Sequence, residues 1–170
     1  MSKFINIKKF ITMACSGSCK CINRKSCVGY TYITNNVAQT VATNQLVSPG
    51  SVVRTSCIGT IVPTGNNSLT VKETGTYMIS VQLIGTPTAV GSATEGTVQP
   101  TILINGLAVS SPVVPVTATD SDKGFEVRVV SPICCGDIIT ISNLGSFTLA
   151  MAASNTQGGY NVNILIERYN

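Results

Sequence analysis

Short segments in which apolar residues recur at every second position, separated by Gly, Pro, Asn and Asp, constrain this chain more than any other feature. In residues 76–84, Tyr77, Ile79, Val81 and Leu83 fall on one face, the period of a strand with one side buried. Residues 101–104 and 107–109 flank Asn105-Gly106, the residue pair that best fits a tight hairpin turn. Alternation or β-branched richness also marks residues 30–34, 51–62, 69–73, 124–130, 138–142, 147–153 and 160–167. Residues 113–119 read as an edge or irregular strand because of Pro112 and Pro115, and 85–97 as a polar loop. No window repeats apolar residues with a helical period. The pattern predicts an all-β chain of about 8–10 antiparallel strands in a β-sandwich or jelly roll.

The first part of the chain is different. Residues 1–29 form a basic, cysteine-rich extended arm, and 30–170 the folded domain. Lys3, Lys8, Lys9, Lys20, Arg24 and Lys25 lie in the arm, out of 11 basic residues in all, and no acid precedes Glu73. The sparse charges, with only Phe4 and Phe10 as stacking groups, fit solvation of an apolar arm better than nucleic-acid binding. Lys8 and Lys9 interrupt the apolar core a signal peptide needs, leaving residues 10–14. No run approaches the length of a membrane span. The expectation is a protein that reaches its destination without a conventional signal peptide, with neither nucleic acid nor membrane as partner.

Histidine is absent, which excludes Ser/His/Asp chemistry, and no Gly-rich phosphate loop follows a strand. The chain reads as a non-enzyme without cofactor. Asp120 and Asp122 could be considered for calcium, but a solvated turn accounts for them better.

Seven cysteines are unevenly placed: Cys15, Cys19, Cys21 and Cys27 in the arm, Cys57 alone in the body, and Cys134 and Cys135 adjacent. An odd number leaves at least one without a partner inside the chain. Adjacent cysteines seldom bridge one another, because their Cα atoms stand about 3.8 Å apart, so Cys134 and Cys135 are each expected to look elsewhere. The arm cysteines lack the paired knuckles of a zinc site, and no cysteine belongs to a C-x-x-C redox motif. Disulfides fit better than zinc or inert thiols, and all seven are candidates for bridges between subunits.

Four groups of residues carry a resemblance. Residues 69–81 resemble the strand, Gly, x, Tyr, strand signature of the complement/TNF-like jelly roll. Residues 102–109 are similar to its central hairpin, and 136–141 and 162–168 to its Gly-Asp strand start and its terminal strand. The head of BclA-type exosporium glycoproteins is the version it resembles most, over about residues 31–170. That resemblance implies a TNF-like jelly roll assembling as a homotrimer through an apolar flank, for which Tyr77 and Tyr160 are candidates. A core position within one protomer is the equal alternative for both. The mean hydropathy of +0.33 suits a chain that buries more surface by association. A collagen stalk is missing, and the arm in its place resembles the cysteine-bearing connectors of endospore appendage pilins, although those carry adjacent cysteines in the arm itself. Together these imply a self-assembling subunit of a spore-surface fibre, linked by strand addition and intermolecular disulfides, with other spore-surface anchor or tip proteins as further partners. A trimeric receptor- or carbohydrate-binding head of an exosporium or phage fibre is the alternative.

Overall fold

The computed structural model describes residues 29–56, 61–153 and 160–169. Its strands are β1 (Gly29–Asn35), β2 (Gln39–Val41), β3 (Gln45–Leu46), β4 (Ser51–Thr55), β5 (Ile61–Thr64), β6 (Ser68–Val71), β7 (Gly75–Thr88) and β8 (Glu95–Val98). They continue with β9 (Pro100–Ile104), β10 (Leu107–Ser110), β11 (Val114–Thr117), β12 (Lys123–Ile133), β13 (Ile138–Asn143), β14 (Thr148–Met151) and β15 (Val162–Arg168).

Two antiparallel sheets face each other. One runs β2-β14-β7-β15-β1-β4, with β12 along the other side of β7; the second runs β10-β9-β13-β6-β5, with β3 added to β13. Strands β8 and β11 form a separate two-stranded ribbon, which adds Val98 and Val116 to the core. Strand β7 is the spine of the first sheet. Over Tyr77 to Leu83 it is paired on one side by β15 and on the other by β12. Its alternation is complete: Tyr77, Ile79, Val81 and Leu83 are buried, and Met78, Ser80 and Gln82 turn outward. Opposite them the second sheet supplies Leu69, Val71, Ile102, Ile104, Ile139 and Ile141. Burying each such side chain contributes about 1.5–3 kcal/mol.

The all-β sandwich expected from the sequence is what forms, with more strands and with β7 and β12 longer than expected. Residues 85–88 continue β7 instead of entering a loop. Gly85 and Pro87 keep the buried parity, and β14 pairs with this extension. A side chain at Gly85 would stand 2.6 Å from the Ala150 carbonyl oxygen, so the closeness of β14 requires the glycine. The segment 51–62 divides into β4 and β5, which belong to different sheets. Pro115 sits in the separate β11 ribbon, and the Asn105-Gly106 hairpin forms with φ of 51° and 80°, as a type I′ turn requires.

One polar side chain is built into this core. Asn143 is fully buried. Its amide donates to the Phe147 carbonyl at 2.7 Å and the Val41 carbonyl at 3.3 Å, and its Oδ1 accepts from the N–H groups of Gly145 at 3.0 Å and Gln99 at 3.1 Å. It thus ties β2, the start of β9 and the β13–β14 turn together. At the other end Tyr77 is equally enclosed, and its hydroxyl donates to the Glu73 carbonyl at 2.6 Å. Burial pushes its pKa up to about 12, with Arg168 pulling the other way.

Two outcomes follow. Asn143→Leu should lower stability by about 3 kcal/mol, a fall of roughly 6–12 °C in Tm, because it strands buried backbone groups; thermal unfolding under non-reducing conditions measures this. For Tyr77, the unfolded chain loses its phenolic proton near pH 10 while the folded chain holds it to about 12. Stability is therefore full below pH 10 and falls as pH rises through that window, by about 2 kcal/mol. Denaturant titrations at pH 9 and 12 on the native chain and on Tyr77→Phe should show a smaller loss in the variant.

Candidate functional site

The cysteine turn joins β12 to β13 at one end of the sandwich. After Ile133 the chain passes Cys134, Cys135, Gly136 and Asp137 and re-enters the second sheet at Ile138. Gly136 adopts a φ of 91°, which glycine tolerates and other residues resist. Asp137 organises the turn: its Oδ2 accepts the Cys134 N–H at 2.8 Å, and its Oδ1 accepts from the Asn105 amide at 2.8 Å. Asn105 Oδ1 in turn accepts the Ile138 N–H at 2.9 Å. The Gly136 N–H donates to the Val71 carbonyl at 2.8 Å, and the Cys135 N–H to Thr74 Oγ1 at 3.0 Å. The backbone of both cysteines is thus fixed by neighbouring loops. Both residues are half-buried, and both are disulfide-bonded.

The loop carrying Thr74 is itself anchored. Arg168 pairs with Glu73 through Nη1, and its Nη2 donates to the Thr74 carbonyl at 2.7 Å. The Arg168 side chain is only 10% exposed, so this pair is shielded from the screening that weakens surface ion pairs. Residue 29, where the arm joins the fold, lies opposite Arg168 in the β1–β15 register. Ser56 reaches the same end: its N–H donates to the Tyr30 carbonyl at 2.9 Å, and the Tyr30 N–H donates to Ser56 Oγ at 2.8 Å. The arm's point of departure and the Cys134–Cys135 turn therefore share one end of the sandwich. Cys15, Cys19, Cys21, Cys27 and Cys57 lie outside the described residues.

Of the two flank candidates, Tyr77 belongs to the protomer core. It is 1% exposed, because its parity on β7 points between the sheets and leaves nothing for a neighbour to touch. Tyr160 is half-buried near the opposite end, beside Asn35 and Gly50, and is not on the outer sheet face. That face consists of aligned rows across β1, β15, β7 and β12. Tyr30, Glu167, Met78 and Val130 form one, and Tyr32, Leu165, Ser80 and Arg128 the next. Tyr30 and Val130 are 41% and 58% exposed. The Tyr32 hydroxyl donates to Asn163 Oδ1 at 2.9 Å, and Asn163 Nδ2 to Gln82 Oε1 at 3.3 Å. Tyr32, Met78 and Leu165 escaped the sequence reading, although the parity that buries Tyr77 and Ile79 turns Met78 outward.

The carboxylates of Asp120 and Asp122 have different partners. Asp120 Oδ2 holds Lys123 Nζ at 2.7 Å and accepts the Thr117 N–H at 2.9 Å. The Lys123 hydrogen bond, followed by that from Thr117, keeps its carboxyl below the usual range. Asp122 accepts from Thr86 instead. Among the described residues no group of three or more His, Cys, Asp or Glu side chains could hold a metal.

No protein-family model and no curated relative matches the sequence. Solved structures do match. Murine APRIL at pH 5.0 superposes with a TM-score of 0.55 at 15% identity, covering 83% of this chain and 99% of that one. Murine APRIL at pH 8.5 gives 0.54 at 13%, covering 83% and 98%. Eiger TNF from S. frugiperda gives 0.51 at 14%, covering 84% and 92%. At such identities the likeness speaks for the fold: two antiparallel sheets closed into a TNF-like jelly roll.

Proposed function

We propose that this chain is a non-enzymatic, self-assembling subunit of a fibre or pilus-like appendage on the bacterial endospore surface. The observation that carries the reading is the placement of the arm's origin, at Gly29, on the same end as the turn of Cys134 and Cys135, whose backbone is held there by Thr74 and Asp137. An arm leaving that end is positioned to engage the corresponding end of a neighbouring subunit. Its resemblance to the connectors of appendage pilins supports the same reading.

Two surfaces supply the contacts. The open face bearing Tyr32, Met78, Leu165 and Val130 mixes apolar side chains with polar ones, as an interface core and rim do, and we assign it to a homotrimer. Strand β4 ends its sheet among the described residues, and its residues Ser51, Val52, Val53 and Arg54 are exposed. Such an edge accepts an added strand through backbone hydrogen bonds with little demand on sequence, so an arm from the next subunit fits it. Disulfides then make the joint kinetically permanent, and repetition of a contact that does not close a ring yields a fibre.

Purified protein on non-reducing gels should give a ladder that collapses with thiol. A discrete trimer indifferent to thiol overturns the linked fibre. On the open face, Met78→Glu or Leu165→Arg should weaken self-association at least about tenfold in sedimentation under reducing conditions. Unchanged association would remove this face from the assembly.

A further inference from the structure

A second feature lies at the other end of the sandwich. The ends of β1 and β4, the β5–β6 turn and Tyr160 line an open cleft of about 480 Å³, a volume within the range of small-molecule sites. None of its described lining residues is charged. Its floor is a fixed amide lattice. Gln39 Oε1 accepts the Ser48 N–H at 2.9 Å, and Gln39 Nε2 donates to the Ser48 carbonyl at 3.2 Å. Asn35 Nδ2 donates to the same carbonyl at 3.0 Å, while its Oδ1 accepts the Val37 N–H at 2.8 Å. Each of these amide groups keeps a second N–H beyond those bonds. Asn36 and Asn66 stand exposed at the rim, and Val37 and Val53, 65% and 50% exposed, contribute apolar surface beside Tyr160. Behind the Val37 wall, Asn161 donates to the Val37 carbonyl at 2.7 Å, and its buried Oδ1 has no hydrogen-bond partner.

We propose that this cleft binds a neutral saccharide unit. Amides offer paired donors and acceptors, which match hydroxyls that both donate and accept. Apolar and aromatic wall residues suit the C–H face of a sugar ring. An ionised ligand would give up hydration here without a counter-charge. An extended peptide is the rival occupant, since Ser51 and Val53 belong to the edge strand β4, but most of the polar groups offered are the side-chain amides of Asn35, Asn36, Gln39 and Asn66. The cleft faces away from the arm's origin: Asn35 lies opposite Val162, and Gly29 opposite Arg168, at the two ends of the same β1–β15 ladder. A subunit held by its arm would turn the cleft outward. This site goes beyond the fibre reading and stands whether or not the chain polymerises.

Saturation-transfer NMR on the full chain tests it, since the method tolerates large assemblies. The probes are galactose, mannose and N-acetylglucosamine, with glucuronate as the charged counterpart and a neutral Ser/Ala peptide as the rival. At least one neutral sugar should bind saturably, and glucuronate at least about tenfold more weakly. Tyr160→Ala and Asn66→Ala should each reduce sugar binding at least about tenfold with the far-UV spectrum unchanged. The proposal is overturned if none of the three sugars binds up to about 100 mM, if binding survives both substitutions, or if glucuronate or the peptide binds as well as the sugars.

Discussion

The buried face of β7 is the constraint on which the remaining structure depends. Tyr77, Ile79, Val81 and Leu83 are all within 1% of complete burial, and a slip of one residue would expose the whole set. Because β12 and β15 take their register from this strand, its parity also decides which residues form the outer face. It sets the two ends as well. Gly75 lies across from Ile133, at the approach to the cysteine turn, whereas Leu83 lies across from Val162, next to Tyr160 and Asn161.

That single register explains why the two ends differ in chemistry. At one end the loops are joined by charged groups, Arg168 with Glu73 and Asp137 with the Cys134 N–H and the Asn105 amide, around the disulfide-bonded Cys134 and Cys135. At the other the joints are made by uncharged amides, Asn35, Gln39 and Asn161. Charge-assisted bonds fix geometry strongly where the chain must hold a covalent link. The amides of Asn35 and Gln39 each keep a second N–H beyond the bonds to Ser48, whereas Asn161 spends both of its own on Val37 and Ala152.

Much of the fold was legible because it rests on local period and turn chemistry. The parity of β7, the Asn105-Gly106 hairpin and the placement of Pro115 in a separate ribbon all follow from a few adjacent residues. What was not legible depends on distant partners. The extension of β7 through Thr88 exists because β14 pairs there and Gly85 admits the Ala150 carbonyl, a contact that no local pattern announces. Tyr160 and Tyr77 looked equivalent as aromatics on strand-like segments, yet one is sealed between the sheets and the other lines a cleft. The amide lattice of Asn35, Gln39 and Ser48 joins residues whose polarity alone reads as loop.

The same comparison bears on what the cysteines are for. The turn of Cys134 and Cys135 is already closed by Gly136, Asp137, Asn105 and Thr74 through hydrogen bonds, and the core beneath it is sealed by Ile133 and Ile139. A bridge there adds little to a fold that a buried core of this extent already holds, since disulfides matter most where a core is too small. Its effect is greater when it restrains a segment with few contacts of its own, because the entropy removed grows with the chain it closes. The basic arm is a long stretch of this sequence without strand alternation, and it starts from the same end. In the proposed assembly the sulfurs serve the arm, and the sandwich beneath holds them in position.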